Sequence, residues 1–293
     1  MSSGMTIGLL GFGEVGQTLA DDLANVTDAT LYTFDVLFPD RESIPARALA
    51  DRSQVAATEN AASLGGRCNI IISAVTAAED VVAARSISDG LAKGAFVMDL
   101  NSVAPETKRR CAEIIDAAGG RYIEAAVMSP IHPEGSASPI LLGGPNAAEF
   151  LGTAHALGFT GASVFSSEIG PASATKMCRS VIIKGVEALL SESLLAARHY
   201  GVEKEVLDSL GNVLTTKDWP ALAHYLIGRA VKHGVRRAEE MREAATTVSA
   251  AGLEPLMSNA CVARQQWTAQ FSGALEEKSL PGMLDAIRRD LVC

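Results

Sequence analysis

Gly11-Phe12-Gly13-Glu14-Val15-Gly16 is the stretch on which the fold turns. It reads G-x-G-x-x-G and lies between an apolar run, Met5–Leu10, and a segment of helical pattern reaching about Ala24. A strand before and a helix after are the context in which this pattern carries meaning. Gly11 permits a tight turn, Gly13 lets the backbone approach a pyrophosphate, and Gly16 allows helix and strand to pack closely. The pyrophosphate belongs at the positive end of the helix, against free backbone N–H groups. The expected cofactor contacts here are Gly11, Phe12, Gly13, Glu14, Val15 and Gly16. Asp35 closes the next apolar run, Leu31–Val36, 19 residues after Gly16. A carboxylate at that spacing accepts from adenosine ribose hydroxyls and repels a 2′-phosphate, which favours NAD. Arg41 and Arg47 stand close by in sequence and keep NADP open.

Around this turn, short apolar runs alternate with helical stretches throughout the first half. Strands are expected near Gln54–Ala57 and at Cys68–Val75, Ala95–Leu100, Arg121–Val127, Pro139–Gly144 and Gly161–Ser167. A helix is expected over Pro105–Ala118 with proline in its first turn. This alternation means an α/β Rossmann domain, a mostly parallel doubly wound sheet with helices on both faces. Val75 and Thr76 end the long apolar strand, where a ligand crevice is expected. They are read as cofactor contacts, although a helix N-cap is the competing reading of Thr76. Asn101 and Ser102 follow another core strand and point to the same crevice.

After Gly170 the pattern becomes helical, from Ser173 to about Tyr200 and again from Glu203 to Val292. Breaks fall near Gly211, Trp219-Pro220, Gly252–Pro255 and Pro281-Gly282. The expected organisation is residues 1–168 as the dinucleotide-binding domain and 169–293 as an all-α domain for substrate and dimerisation. The formal net charge of −9 argues against nucleic acid as a partner. No apolar run reaches the ~18 residues of a membrane span. The five cysteines form no CxxC pair, and they suit a reducing cytoplasm as small buried hydrophobes. No metal motif is present, so no metal is expected.

Four motifs carry a resemblance: Gly8–Gly16 (GLLGFGEVG), Asp99–Pro105 (DLNSVAP), Ile123–Pro130 (IEAAVMSP) and Gly170–Ser180 (GPASATKMCRS). Together they resemble the β-hydroxyacid dehydrogenase family, which includes 3-hydroxyisobutyrate and 6-phosphogluconate dehydrogenases. The stretch His233–Pro255 looks like a branch of that superfamily with a poorly characterised C-terminal helical domain. The resemblance implies an NAD(P)-dependent oxidoreductase acting on the CH–OH of a 3-hydroxy carboxylic acid-like substrate. It implies that Lys176 is the general acid/base, since Gly170–Lys176 fits the family's G-x-G-x-x-x-K with Ala172 in place of the second glycine. A lysine buried beside a nicotinamide cation has a depressed pKa and takes a proton at neutral pH.

Three positions depart from the family. Ser180 stands where the family has asparagine, one helical turn after the lysine. Asn101-Ser102 replaces a serine–threonine pair. Met128-Ser129-Pro130 replaces an S-G-G loop whose backbone donors hold a substrate carboxylate, and Pro130 has no N–H to give. Asn101, Ser102, Ser129 and Ser180 are the expected substrate contacts, in a pocket larger or more apolar than that for 3-hydroxyisobutyrate. His233, Arg236, Arg237 and Glu240 share one helix face, and His233 with Arg236 joins the substrate list as an anion clamp. Lys184 and His132 are weaker candidates for the same cleft. The resemblance also implies a homodimer formed through the helical domain. Two alternatives stand beside the hydroxy-acid reading. Imine-reducing relatives share the architecture but usually lack the lysine, and a non-catalytic NAD-binding regulatory protein would need no substrate pocket.

Overall fold

The computed structural model describes residues 4–210, 218–250 and 252–292, and past residue 180 only part of the helical side chains. Gly211 and Cys293 lie outside the described residues, as do the side chains of Lys184, Arg236 and Glu240. In chain order the elements are β1 (Thr6–Leu10), α1 (Glu14–Val26), β2 (Thr30–Phe34), α2 (Ile44–Ala50), β3 (Val55–Ala57), α3 (Ala61–Arg67), β4 (Ile70–Ser73) and α4 (Asp80–Ser88). Then follow β5 (Phe96–Asp99), α5 (Pro105–Ala117), β6 (Arg121–Val127), β7 (Ile140–Gly143), α6 (Ala147–Ala156) and β8 (Ala162–Ser166). The remainder is helical: α7 (Pro171–Tyr200), α8 (Glu203–Leu210), α9 (Trp219–Ala250), α10 (Leu256–Thr268) and α11 (Leu280–Val292). The chain divides into two compact units, Met1–Val181 and Ile182–Cys293, and the division falls inside α7.

The first unit is built on one eight-stranded sheet of order β3-β2-β1-β4-β5-β6-β7-β8. Every neighbouring pair is parallel except β6 and β7. Strands β4 and β5 are buried along their whole length, as expected where helices cover both faces of a parallel sheet. One face packs Ile7, Leu9, Leu19, Leu23, Ile72 and Phe150 into a core. The other packs Leu64, Ile71, Ile87, Val97, Ile115 and Tyr122. Local signals start the helices: Asn60 caps α3 by accepting from Ser63 N at 2.8 Å, and Pro105 opens α5. The second unit has its own small core of Val231, Phe271, Ala274, Met283 and Ile287. Its proline signals mark helix starts, since Trp219-Pro220 and Pro281 sit in the first turns of α9 and α11. No helix among the described residues is long and apolar enough to cross a membrane.

A polar network lies inside the second face of the sheet. Lys108 on α5 is fully buried, and its Nζ lies 2.8 Å from Asp99 Oδ1. The same ammonium donates to the Asp99 carbonyl at 3.0 Å, and Tyr122 donates its hydroxyl to Asp99 Oδ2 at 2.5 Å. Asp80, 2% exposed, completes the group. Burial, then the charge of Asp99, pushes the Asp80 carboxyl up to about 6 from its ordinary 3.8. Two outcomes follow. Lys108→Met leaves Asp99 buried and unpaired, which costs about 3–5 kcal/mol in urea unfolding. A carboxyl raised on folding stabilises the fold at low pH, and this contribution fades as pH rises through about 6. Asp80→Asn therefore gains on the order of 2 kcal/mol over the native chain at pH 8 and nothing at pH 4. An equal gain at both pH values contradicts this reading of the cluster.

Candidate functional site

Two cavities meet at the carboxyl ends of the central strands, where open α/β sheets bind ligands. The first is a groove of 740 Å³ bordered by Gly11, Gly13, Asp35, Val75, Thr76 and Val82. The second is a cavity of 410 Å³ bordered by Asn101, Ser102, Val127, Ser129, Ile131 and Lys176. Glu14, Val15, Ala74 and Val75 border both, so the two spaces adjoin one another.

The glycines explain the groove's shape. Gly11 has φ +92°, and a Cβ there would stand 2.5 Å from the Ala74 carbonyl oxygen. A Cβ on Gly16 would meet the Gly11 carbonyl oxygen at 2.3 Å, so α1 can approach β1 only without one. In front of Gly13 the space within 4 Å is empty. No side chain caps α1, which leaves its first N–H groups facing the groove for an anion. Asp35 accepts from Phe12 N at 2.7 Å through Oδ2 and from Leu37 N at 2.9 Å through Oδ1. Those bonds fix the carboxylate on the groove wall, and each oxygen keeps a lone pair for a ribose hydroxyl. Phe12 thus contributes its backbone, while its ring is fully buried in the core and does not border the groove. These residues fit a dinucleotide: an open diphosphate seat, a carboxylate for the ribose, and apolar Val36, Leu37 and Val82 around the base position. Neither Arg41 nor Arg47 borders the groove.

Lys176 is half-buried in the second turn of α7. A side chain from the sheet fixes the start of that helix. Glu124 on β6 is fully buried, and it accepts from Gly170 N through Oε2 and from Ser173 N through Oε1, both at 2.7 Å. A carboxylate at a helix N-terminus satisfies orphan N–H groups and sits favourably in the helix dipole. Gly143 beside it must lack a side chain, because a Cβ there would stand 2.5 Å from Glu124 Oε2. Sequence reading missed Glu124, although the signal was there: a lone charge inside an otherwise apolar strand buried on both faces.

The remaining expected contacts divide. Ser102 and Ser129 border the lysine cavity, and the Ser129 hydroxyl is buried without a hydrogen-bond partner. Asn101 borders it too, but its amide is committed to the protein. Oδ1 accepts from Val75 N at 2.7 Å, and Nδ2 donates to Ser73 Oγ at 3.0 Å and to Asp80 Oδ1 at 2.7 Å. Ser180 is half-buried and borders neither cavity. His132 lies in a neighbouring surface cavity, 3.2 Å from Thr18 Oγ and 3.7 Å from Glu14. His233 is half-buried on α9 in the second unit, and the Arg236 side chain lies outside the described residues. Burial pushes the Cys68 and Cys111 thiols up to about 12, so both behave as inert hydrophobes; Cys178 is exposed.

Comparison with known proteins agrees with the groove. Residues 6–167 match the NAD binding domain of 6-phosphogluconate dehydrogenase, and residues 197–268 match a domain of unknown function, DUF1932. A conserved hypothetical protein from Sinorhizobium meliloti 1021 is 34% identical, with TM-score 0.59 over 98% of this chain and 97% of that one. The conserved protein MTH1747, of unknown function and described as structurally similar to 3-hydroxyacid dehydrogenases, is 29% identical, with TM-score 0.58 over 92% and 99%. Mitochondrial 3-hydroxyisobutyrate dehydrogenase from Drosophila melanogaster is 21% identical over 73% of this chain and 64% of its own length. The chain belongs to the family of the NAD-binding domain of 6-phosphogluconate dehydrogenase, and its first unit is an NAD-binding domain.

Proposed function

We propose that the protein is an NAD-dependent oxidoreductase that oxidises the CH–OH of a 3-hydroxy carboxylic acid-like substrate, or reduces the matching carbonyl, with Lys176 as general acid/base. The observation that carries this reading is that the dinucleotide groove adjoins the cavity bordered by Lys176, Ser102 and Ser129, the two sharing Glu14, Val15, Ala74 and Val75. When bound, NAD supplies the hydride acceptor. The chain's own residues do the rest. Oxidation of an alcohol to a ketone also releases a proton, and the Lys176 amine takes it from the hydroxyl. The buried Ser129 hydroxyl, lacking a partner of its own, offers a hydrogen bond to the substrate. Ser102 adds a second. Val127, Pro130 and Ile131 give the cavity an apolar wall that keeps water from the reacting carbon. Pro130 removes one backbone donor from this loop, so the substrate's carboxylate is held less by the loop than by side chains. We assign Asn101 to shaping the site, since both of its amide hydrogens are already given away.

Turnover of a panel of 3-hydroxy acids with NAD tests the assignment. Lys176→Ala lowers kcat by about 10²–10⁴ while NADH still binds. Unchanged turnover in that variant removes Lys176 from the chemistry. If the native chain binds NADH but turns over neither hydroxy acids nor imines, the regulatory reading replaces this one.

We propose NAD over NADP because the groove wall carries Asp35, Glu79 and Asp89 and, among the described residues, no lysine or arginine. NADH should bind more tightly than NADPH, and Asp35→Ser should narrow the ratio by about tenfold. Tighter NADPH binding by the native chain contradicts the role given to Asp35.

We also propose a homodimer through the helical unit. Ile182, Val186 and Leu189 follow a helical spacing along α7, and their side chains are exposed in the isolated chain. Light scattering should give twice the chain mass, and Ile182→Asp with Leu189→Asp should shift it to the monomer. A monomeric native chain overturns the proposal.

A further inference from the structure

We infer that Asp80 is a positioning residue for the bound dinucleotide, acting through the amide of Asn101 on the turn that carries Val75. The inference rests on the cofactor groove and on no assumption about the substrate. Val75 belongs to both cavities, and its backbone N–H is fixed by Asn101 Oδ1 at 2.7 Å. Asn101 can hold that N–H only if its amide is turned with the oxygen toward Val75. An amide reads almost the same either way round, so its neighbours decide the orientation. Here the Nδ2 hydrogens meet two acceptors, Ser73 Oγ at 3.0 Å and Asp80 Oδ1 at 2.7 Å. The hydroxyl of Ser73 can donate or accept, so it imposes no direction. A carboxylate oxygen without a proton only accepts, and Asp80 Oδ1 therefore sets the amide. The backbone of Asn101 is held separately, its N–H donating to Asp99 Oδ1 at 2.9 Å.

Asp80 is 2% exposed and opens α4, immediately after the groove-lining residues Thr76 and Glu79. Its second oxygen, Oδ2, is buried with no hydrogen-bond partner. A proton taken up at that oxygen leaves Oδ1 still accepting from the Asn101 amide. Ligand atoms of Asp80, Asp99 and Cys111 all lie within 4.8 Å of one another. Three such groups suggest a cation site, but the Lys108 ammonium already stands 2.8 Å from Asp99 and supplies the positive charge. The Lys108–Asp99 ion pair thus stands beside Asp80 as part of the support under the cofactor turn.

Titration of NADH, followed by its fluorescence on binding, tests the inference with thermal melts as a check of folding. Asp80→Ala should weaken NADH about tenfold, the value of one charge-assisted hydrogen bond. Asp80→Val fills the space without an acceptor and should give the same loss. Asp80→Asn keeps an accepting oxygen and should return affinity to within about threefold of the native chain. Asn101→Ala should weaken NADH by a similar factor, and the Asp80→Ala, Asn101→Ala double variant should be no weaker than the weaker single. Native affinity in Asp80→Ala and Asp80→Val overturns the inference, as does an Asp80→Asn as weak as the alanine, or losses that add in the double variant. If the native chain itself binds no NADH, the groove assignment falls and takes the inference with it, an outcome distinct from binding that the variants leave unchanged.

Discussion

A single buried carboxylate, Glu124, ties the helix of Lys176 to the sheet. Its oxygens accept the backbone N–H of Gly170, just before α7, and that of Ser173 in its first turn. Without that contact the helix start would carry unsatisfied donors in an apolar setting, which is costly. With it, the position of Lys176 is set by β6, a central strand whose neighbours β5 and β7 are locked by ladder hydrogen bonds. The general acid/base role proposed for Lys176 needs placement to within a fraction of an ångström, and strands hold a residue more firmly than loops do. Glycine at 143 is the companion constraint, because any side chain there would collide with the carboxylate.

The same economy appears at the other end of the site. Three glycines let β1 turn sharply into α1 and leave its first N–H groups facing open space. Asp35 uses one of its oxygens to hold the N–H of Phe12, so the carboxylate proposed to bind the ribose and the glycine turn brace each other. On the opposite wall, Asn101 holds Val75 from behind. The groove is therefore shaped by side chains that point away from it as much as by those that line it. Buried polar networks of this kind rigidify when every member is satisfied, and Asp80 Oδ2, which has no partner, belongs to a carboxyl that burial pushes up to about 6.

Much of this was readable in the residues. The G-x-G-x-x-G turn, the alternating strands and the change to helix after Gly170 are patterns of period and punctuation, and each strand of the sheet falls within a residue or two of its expected run. Residue type at a strand end was readable too, which brought Thr76 and Ser102 to the cavities, while the family resemblance brought Ser129. Rotamer direction was not. Asn101 stands at the crevice as expected, yet its amide turns inward because Val75 N, Ser73 and Asp80 offer it three partners at once. Phe12 sits inside the fingerprint, yet its ring belongs to the core. Partners distant in sequence, such as Glu124 with Ser173 or Lys108 with Asp99, meet only because the sheet order brings them together, and no local pattern encodes that order.

The site proposed here holds the dinucleotide in the groove and presents its reactive end to Lys176 in the adjoining cavity. A crystal structure of the chain with NAD bound tests this most directly. The diphosphate should lie against Gly13 and the start of α1, and the nicotinamide in the cavity bordered by Ser129, with its C4 open toward the Lys176 amine. A nicotinamide lying outside that cavity, or a Lys176 side chain turned away from it, contradicts the account.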